Sequence, residues 1–222
     1  MSTFREIFEN FFAKKGFFIL AKIFEKKNIY QWAVLFIQKQ LSCTNVKIYT
    51  LMNLKDYIHS IQDWPSKGVN YKDITPLLSN PQAFQLSIKG MVDLIESKTA
   101  MVAGIDARGF IFASAIAQKL GLGMLLLRKS GKLPPPKITF KYELEYGSDE
   151  LEIKQVQKKD TEIILVDDIV ATGGTISAAC DLCIKAGYSV KQAIVLIDLV
   201  KIHAENFVLS NGIKIDSLIK LD

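Results

Sequence analysis

Asp167 and Asp168 close an apolar run and stand directly before a small, glycine-rich loop, in the stretch ILVDDIVATGGT at 164–175. If the loop opens a helix, the first amide N–H groups of that helix lack intrahelical partners and carry the positive end of its dipole. Gly173 and Gly174 let the backbone approach a ligand closely, and the hydroxyls of Thr172 and Thr175 can donate as well. Together these make a cradle for a phosphate. The two carboxylates would repel that phosphate, but they can accept hydrogen bonds from hydroxyls. A ligand with a phosphate at one end and a vicinal diol beside it satisfies both halves, and ribose 5-phosphate is such a ligand. The same letters also fit an acidic strand end closed by a glycine turn that holds nothing, and taken alone they leave both readings open. Two commoner phosphate motifs are absent. GIDARGF at 104–110 has two glycines but neither the lysine nor the hydroxyl of a P-loop, and no G-x-G-x-x-G occurs.

The elements around this loop follow from periodicity. MNLKDYIHSI reads as a short amphipathic helix before the Trp64-Pro65 turn, and PQAFQLSIKGMVDLIESK as a second helix with Phe84, Ile88 and Ile95 at helical spacing. AMVAGID is a short buried strand. GFIFASAIAQKLG is a helix stopped by Gly121, and GMLLLRK is the next strand. Residues 131–154 contain a proline run and then the alternation of two antiparallel strands around Gly147. The chain then gives strand EIILVDD, helix GTISAACDLCIKAG and strand SVKQAIVLIDLV. Strands alternating with helices of this length predict an α/β fold, a mostly parallel sheet flanked by helices on both faces. Ligands of such sheets sit beyond the carboxyl ends of the strands, where the two aspartates are.

Composition divides the chain of 222 residues in two. Residues 1–51 hold eight Lys/Arg against three Asp/Glu, while the remainder has equal numbers of each, so the whole +5 net charge lies in the first part. Half of the 22 aromatic residues fall there too. The break predicts a basic, aromatic-rich extension at 1–51 and a domain at 52–222. No apolar run approaches the ~18 residues that span a bilayer; the longest, GFFILAKIF, is interrupted by Lys22. Cys43, Cys180 and Cys183 fit no disulfide framework and suit a reducing compartment. CDLC at 180–183 has the letters of a redox motif, but inside a helix the two cysteines merely share a face, and small residues packed on a sheet are the plainer reading.

ILVDDIVATGGT resembles the 5-phosphoribosyl-1-pyrophosphate (PRPP) motif of the type I phosphoribosyltransferases. IQDWPSKGVNYKDITPLLSNP, GIDARGFIFASAIA, LRKSGKLP and YELEYGSDELEI resemble, in order, segments of the adenine phosphoribosyltransferase family. The likeness covers residues 52–222. It implies that fold, with a small hood and an antiparallel catalytic loop, and transfer of a phosphoribosyl group from PRPP to adenine with release of pyrophosphate. By the resemblance, Asp167 and Asp168 bind the ribose hydroxyls, and Ala171, Thr172, Gly173, Gly174 and Thr175 bind the 5′-phosphate. Arg108, with a non-proline cis peptide at Asp106–Ala107, faces the pyrophosphate together with Arg128, Lys129 and Lys132. KLPPPKITFKYELEYGS becomes a mobile loop carrying Glu145 and Tyr146, with Glu145 managing the purine proton. The adenine pocket falls on Asn70, Tyr71 and Lys72, where the family pattern has an apolar residue, Phe and Arg. Mg²⁺ is implied, held mainly by the substrate's own oxygens, and so are a homodimer and a cytoplasmic location, with no nucleic acid as partner. His59 and His203 lie outside these segments and are expected at the surface or in helix packing.

Two other functions remain from the sequence. A 6-oxopurine acceptor would need a pocket of reversed hydrogen-bonding polarity at the base edge. A PRPP-sensing purine repressor would put the basic extension on DNA, but residues 1–51 show no helix-turn-helix, and a sensor does not need the complete catalytic loop. For the extension itself three readings compete. It is a membrane-surface or partner-binding helix, a nucleic-acid-binding appendage, or upstream sequence ahead of a working protein that starts at Met52. The last fits the break in composition and the point where the resemblance begins.

Overall fold

A computed structural model describes residues 52–96, 99–144, 147–155, 159–203, 208–209 and 212–222. A 3-10 turn at Leu54–Tyr57 leads into a hairpin of β1 (His59–Gln62) and β2 (Asn70–Asp73), then α1 (Thr75–Ser79) and α2 (Pro81–Asp93). Next come β3 (Met101–Ile105), α3 (Gly109–Leu120), β4 (Gly123–Lys129) and the antiparallel pair β5 (Ile138–Leu144) and β6 (Gly147–Ile153). The chain finishes with β7 (Thr161–Val170), α4 (Gly174–Lys185), β8 (Tyr188–Leu199) and β9 (Ile215–Leu221). The hairpin β1–β2 is a small sheet of its own, and the others form a seven-stranded sheet in the order β5-β6-β4-β3-β7-β8-β9. From β4 to β9 every pairing is parallel, and β6 joins β4 antiparallel at Arg128↔Glu152 and Lys129↔Leu151.

This strand order has a switch point. From β3 the chain crosses through α3 to β4 on one side, and from β7 it crosses through α4 to β8 on the other. Right-handed crossovers running in opposite directions place their helices on opposite faces of the sheet. Alternation along the strands confirms it. Ala103, Ile105, Leu125, Leu127, Ile163, Leu165 and Val195 share one buried layer with Ala178, Ala179, Leu182 and Cys183 of α4. Gly104 points the other way, where an added Cβ would stand 2.7 Å from the Cβ of Ala113 on α3. Burial on both faces explains why β3, β7 and β8 read as continuous apolar runs. Each fully buried Leu or Ile in these layers contributes about 1.5–3 kcal/mol relative to exposure. The crevice between the carboxyl ends of β3 and β7 is where such a sheet binds its ligand.

The local signals acted largely as expected. Asn80 caps α2 by accepting from the amides of Gln82 (3.1 Å) and Ala83 (2.9 Å), with Pro81 in the first turn. Gly121 stops α3 at φ 66°, a left-handed conformation that a side chain would resist. Five elements differ from the sequence reading, among them β2 and α1, which it did not anticipate. The expected helix at 52–61 is one 3-10 turn followed by β1, because Ile58 is already extended and Ile61 pairs with Tyr71. A ten-residue helix is marginal alone, and cross-strand pairing outcompetes it. β7 continues two residues past the aspartates, to Val170, still paired with β8. β9 was not anticipated: its partly exposed edge position leaves no clean alternation in IDSLIKL.

Candidate active site at the strand ends

The turn after β3 is built around one carboxylate. The Asp106–Ala107 peptide is cis, as the resemblance implied. Asp106 Oδ2 accepts from Arg128 Nε at 3.0 Å and from the Lys129 amide at 3.3 Å, and Lys132 Nζ lies 3.8 Å away. Burial pushes the Asp106 carboxyl up, but these donors and charges outweigh it and hold the group below the usual carboxylate range. The guanidinium of Arg128 also lies over the ring of Phe110, 5.7 Å from its centroid. Asp106 therefore collects the cationic side chains of β4 and the following loop at one spot.

The end of β7 is the opposite case. Burial, reinforced by the charge of Asp168, pushes the Asp167 carboxyl well above the usual range. Asp168 is also raised by burial, with Arg108 opposing. The Arg108 Nη2 atom stands 2.7 Å from Asp168 Oδ2, an ion pair between the turn after β3 and the end of β7. Two buried, mutually repelling carboxyls with one cation between them suit hydroxyl donors from outside the chain. Asp167 Oδ1 accepts from the Asp168 amide at 2.9 Å. Gly109, at the start of α3, makes room for it: a Cβ there would lie 2.7 Å from Asp167 Oδ1 and 2.9 Å from the carbonyl oxygen of Val166.

Beyond the acids, Ala171 and Thr172 lead to Gly173 at φ 86°, and α4 begins at Gly174 with no side-chain cap. The 12-residue helix thus presents its first amides, with Thr175, toward the acid pair's end of the sheet. The Thr175 hydroxyl stands beside the Tyr142 phenol and opposes the rise that burial imposes on it. Tyr142 reaches Asp149 Oδ2 at 3.5 Å, and Asp149 pairs with Lys129 Nζ at 3.0 Å. A polar ladder thus runs from β4 across the β5–β6 hairpin to the glycine loop. Burial raises both the Tyr142 phenol and the Asp149 carboxyl; for Asp149, the Lys129 contact and the Glu150 amide reverse the effect.

The hairpin β1–β2 is tied to the same turn. Arg108 Nη1 donates to the Tyr71 hydroxyl at 2.7 Å and to the Lys72 carbonyl at 3.1 Å, and the guanidinium sits 5.0 Å from the Tyr71 ring centroid. Trp64 packs edge-on against Tyr71 at 4.5 Å. Asn70 is exposed, whereas Lys72 is buried with Nζ donating to Ser60 Oγ at 2.8 Å, so its side chain is spent within the hairpin. Tyr71 and Arg108 thus place an aromatic face beside the acid pair.

The fold brings Asp106, Ala107, Arg108, Arg128, Lys129, Lys132, Asp167, Asp168, Tyr71 and the 171–175 loop to one end of the sheet. Glu145 and Tyr146 lie outside the described residues. Sequence reasoning missed Tyr142, Asp149, Glu152 and Trp64; the signal for the first three was the strict alternation of the KYEL and DELEI strands. Among the described residues no group of three or more His, Cys, Asp or Glu could hold a metal ion. Cys180 and Cys183 are buried on α4, where burial pushes the Cys180 thiol to about 11 and Cys183 higher still, so neither is a reactive thiolate. His203 Nε2 is 2.6 Å from Asp198 Oδ1, at the end of β8, and His59 is exposed on β1.

Residues 73–217 match the phosphoribosyl transferase domain family. The adenine phosphoribosyltransferase of Christiangramia forsetii is 47% identical over 150 residues, covering 67% of this chain and 88% of that protein. That of Carboxydothermus hydrogenoformans is 39% identical over 171 residues, 76% of this chain and 99% of the relative. The crystal structure of adenine phosphoribosyltransferase from Thermoanaerobacter pseudethanolicus superposes with a TM-score of 0.69 at 38% identity, covering 76% of this chain and 98% of that one. The chain belongs to the adenine phosphoribosyltransferase branch of the phosphoribosyl transferase family.

Proposed function

We propose, from that membership and from the site, that the chain is an adenine phosphoribosyltransferase. It transfers the 5-phosphoribosyl group of PRPP to N9 of adenine, giving AMP and pyrophosphate in purine salvage. The observation that carries the reading is the buried Asp167–Asp168 pair, both carboxyls raised, beside a helix N-terminus and a basic cluster. A ribose diol offers that pair hydroxyl donors. The 5′-phosphate then falls on the amides and hydroxyls of residues 171–175.

Each of the cations proposed for pyrophosphate rests on a carboxylate in the ligand-free chain: Arg108 on Asp168, Arg128 and Lys132 on Asp106, and Lys129 on Asp149. Binding of a diphosphate exchanges these contacts rather than filling a void of bare charge. As the C1–O bond breaks, positive charge grows on the ribose ring and negative charge on the leaving group, and the cluster is aimed at the latter. The acid pair, beside the ring, fixes the sugar through its hydroxyls. Adenine lies in the hairpin pocket formed by Asn70, Tyr71 and Lys72, read by backbone groups and stacked near Tyr71. Its N9 attacks the face opposite the leaving group, and Glu145 or a water beside it takes the proton, with Tyr146 on the same loop. Closure of residues 132–148 excludes water from the cation-like centre.

The residues fit a Mg²⁺ that arrives with PRPP, because the acid pair can accept from its waters while the substrate's oxygens hold it. When bound, it neutralises the diphosphate. The same reading makes 52–222 the catalytic domain and 1–51 a basic appendage not needed for chemistry. It also gives a cytoplasmic homodimer in which part of the basic cluster reaches the partner. No helix among the described residues is long and apolar enough to cross a membrane. The test is a product assay on the full chain with PRPP and Mg²⁺, offered adenine, hypoxanthine or guanine in turn. AMP as the sole nucleotide is the expected result. IMP or GMP at comparable rates would move the chain to the 6-oxopurine enzymes, and no nucleotide from any base would overturn the reading.

A further inference from the structure

One face of β6 does work that the reaction scheme above leaves unexplained. Leu151 and Ile153 point into the apolar layer, while Glu150, Glu152 and Lys154 alternate with them along the strand. Each of the three holds a successive part of the 130–137 loop. Glu150 Oε2 accepts from Ser130 Oγ at 2.9 Å, and Lys154 Nζ donates to the Pro134 carbonyl. Glu152, between them, is almost fully buried, 1% exposed. Its Oε1 accepts from the Gly131 amide at 2.8 Å and from Lys137 Nζ at 2.5 Å, and its Oε2 accepts from the Leu133 amide at 3.1 Å.

The two amides that Glu152 holds are those on either side of Lys132. A buried carboxylate is costly unless its lone pairs are filled, and here they are filled by the turn itself, so the turn and the charge stabilise each other. Gly131 at φ 79° supplies the left-handed step that lets both amides face inward. With the backbone of the turn fixed, Lys132 is directed outward to Asp106, where its Nζ stands 3.8 Å from Oδ2.

We infer that Glu152 is a positioning residue for the leaving group: it shapes the 131–133 turn from below so that Lys132 is presented to the pyrophosphate. The inference rests on the proposed reaction and adds a residue to it. Glu152 touches no substrate, and it acts on pyrophosphate in particular, because the side chain its turn presents, Lys132, pairs with Asp106 and is assigned to pyrophosphate and not to AMP.

The experiment measures dissociation constants of Mg-pyrophosphate and of AMP for the wild type and Glu152→Gln, together with KM for PRPP. Glutamine keeps the shape but turns an NH2 toward one of the two amides. The expected result is a roughly 10- to 100-fold weaker affinity for pyrophosphate and a matching rise in KM for PRPP, with AMP affinity within about twofold. In a Lys132→Ala background the same substitution should add little, since both act through one side chain. Unchanged pyrophosphate affinity, equal weakening of AMP and pyrophosphate, or full additivity with Lys132→Ala would each overturn the inference. Should Glu152→Gln not fold, Gly131→Ala strains the same turn at a position with open space around its Cβ. A pyrophosphate-specific loss there supports the inference and its absence overturns it. A wild type that binds pyrophosphate but makes no AMP would fault the proposed reaction instead, leaving the Glu152 comparison readable.

Discussion

Two neighbouring strand ends carry aspartates in opposite electrostatic states. At the end of β3, Asp106 is surrounded by donors and its carboxyl is held below the usual range. At the end of β7, Asp167 and Asp168 crowd each other in a buried position, and both carboxyls are raised. The first turn is complete without a ligand, because its acid organises the cations that will meet the diphosphate. The second is incomplete, since two buried carboxyls share one cation, Arg108, and burial still raises both. A residue type alone therefore does not mark a binding group. What marks it is an unbalanced environment that the substrate corrects.

The comparison can be broken most severely at Gly109, where an added Cβ would meet the β7 acids. The Cβ of Gly109→Ala would collide with the Val166 carbonyl oxygen and Asp167 Oδ1, and the backbone oxygen cannot yield. The expected loss in kcat/KM for PRPP is roughly 100-fold or more, with a smaller loss in Mg-pyrophosphate affinity, felt through the adjoining Arg108. Asp168→Asn is gentler. It keeps the shape but removes the charge that ribose hydroxyls and Arg108 answer, and kcat/KM for PRPP should fall roughly 10- to 150-fold, as for hydrogen bonds to charged groups. A binding assay with adenine should show little change. The smallest effect is expected at Tyr142→Phe, which cuts the ladder joining Asp149 to Thr175. The Asp149 contact is long at 3.5 Å, so a rise of only roughly 2- to 12-fold in KM for PRPP is expected, read from steady-state kinetics.

How far the letters carried depends on what each feature answers to. The parallel sheet was legible because β3, β4, β7 and β8 are short apolar runs between helical patterns, and Gly121 and Asn80 mark helix ends in their own chemistry. β1 and β9 were not, since β1 is exposed along its whole length and β9 is only partly covered, so the identity of each comes from a partner strand rather than from alternation. The acids and the glycine loop could be named because their spacing is local, and the cations only because their segments resemble those of a known family. The sequence could not say which aspartate would be satisfied, since that depends on Arg128 and Lys132 arriving from β4 and its loop. Nor could it separate Lys72, whose side chain turns to Ser60, from the lysines that face the site. The role of Glu152 was hidden for the same reason: the amides it holds are some twenty residues away in the chain.

The contrast between the two turns makes a prediction of opposite signs for stability. A carboxyl raised by folding contributes stability below its unfolded pKa and loses it as pH rises through the folded value. One that is lowered contributes above the unfolded value and loses it as pH falls. At pH 7.5 the raised Asp167 carboxyl is therefore a liability in the ligand-free protein, whereas the lowered Asp106 carboxyl is an asset. The most direct test is thermal unfolding of the wild type, Asp167→Asn and Asp106→Asn at that pH, with and without Mg·PRPP. Without ligand, Tm should rise in Asp167→Asn and fall in Asp106→Asn, each by about 2–4 °C per kcal/mol in a chain of this size. With Mg·PRPP, the ligand-induced rise should be largely lost in Asp167→Asn. Shifts of the same sign in both variants, or full stabilisation of Asp167→Asn by Mg·PRPP, would contradict the assignment of the β7 acids as the unfilled half of the ribose site.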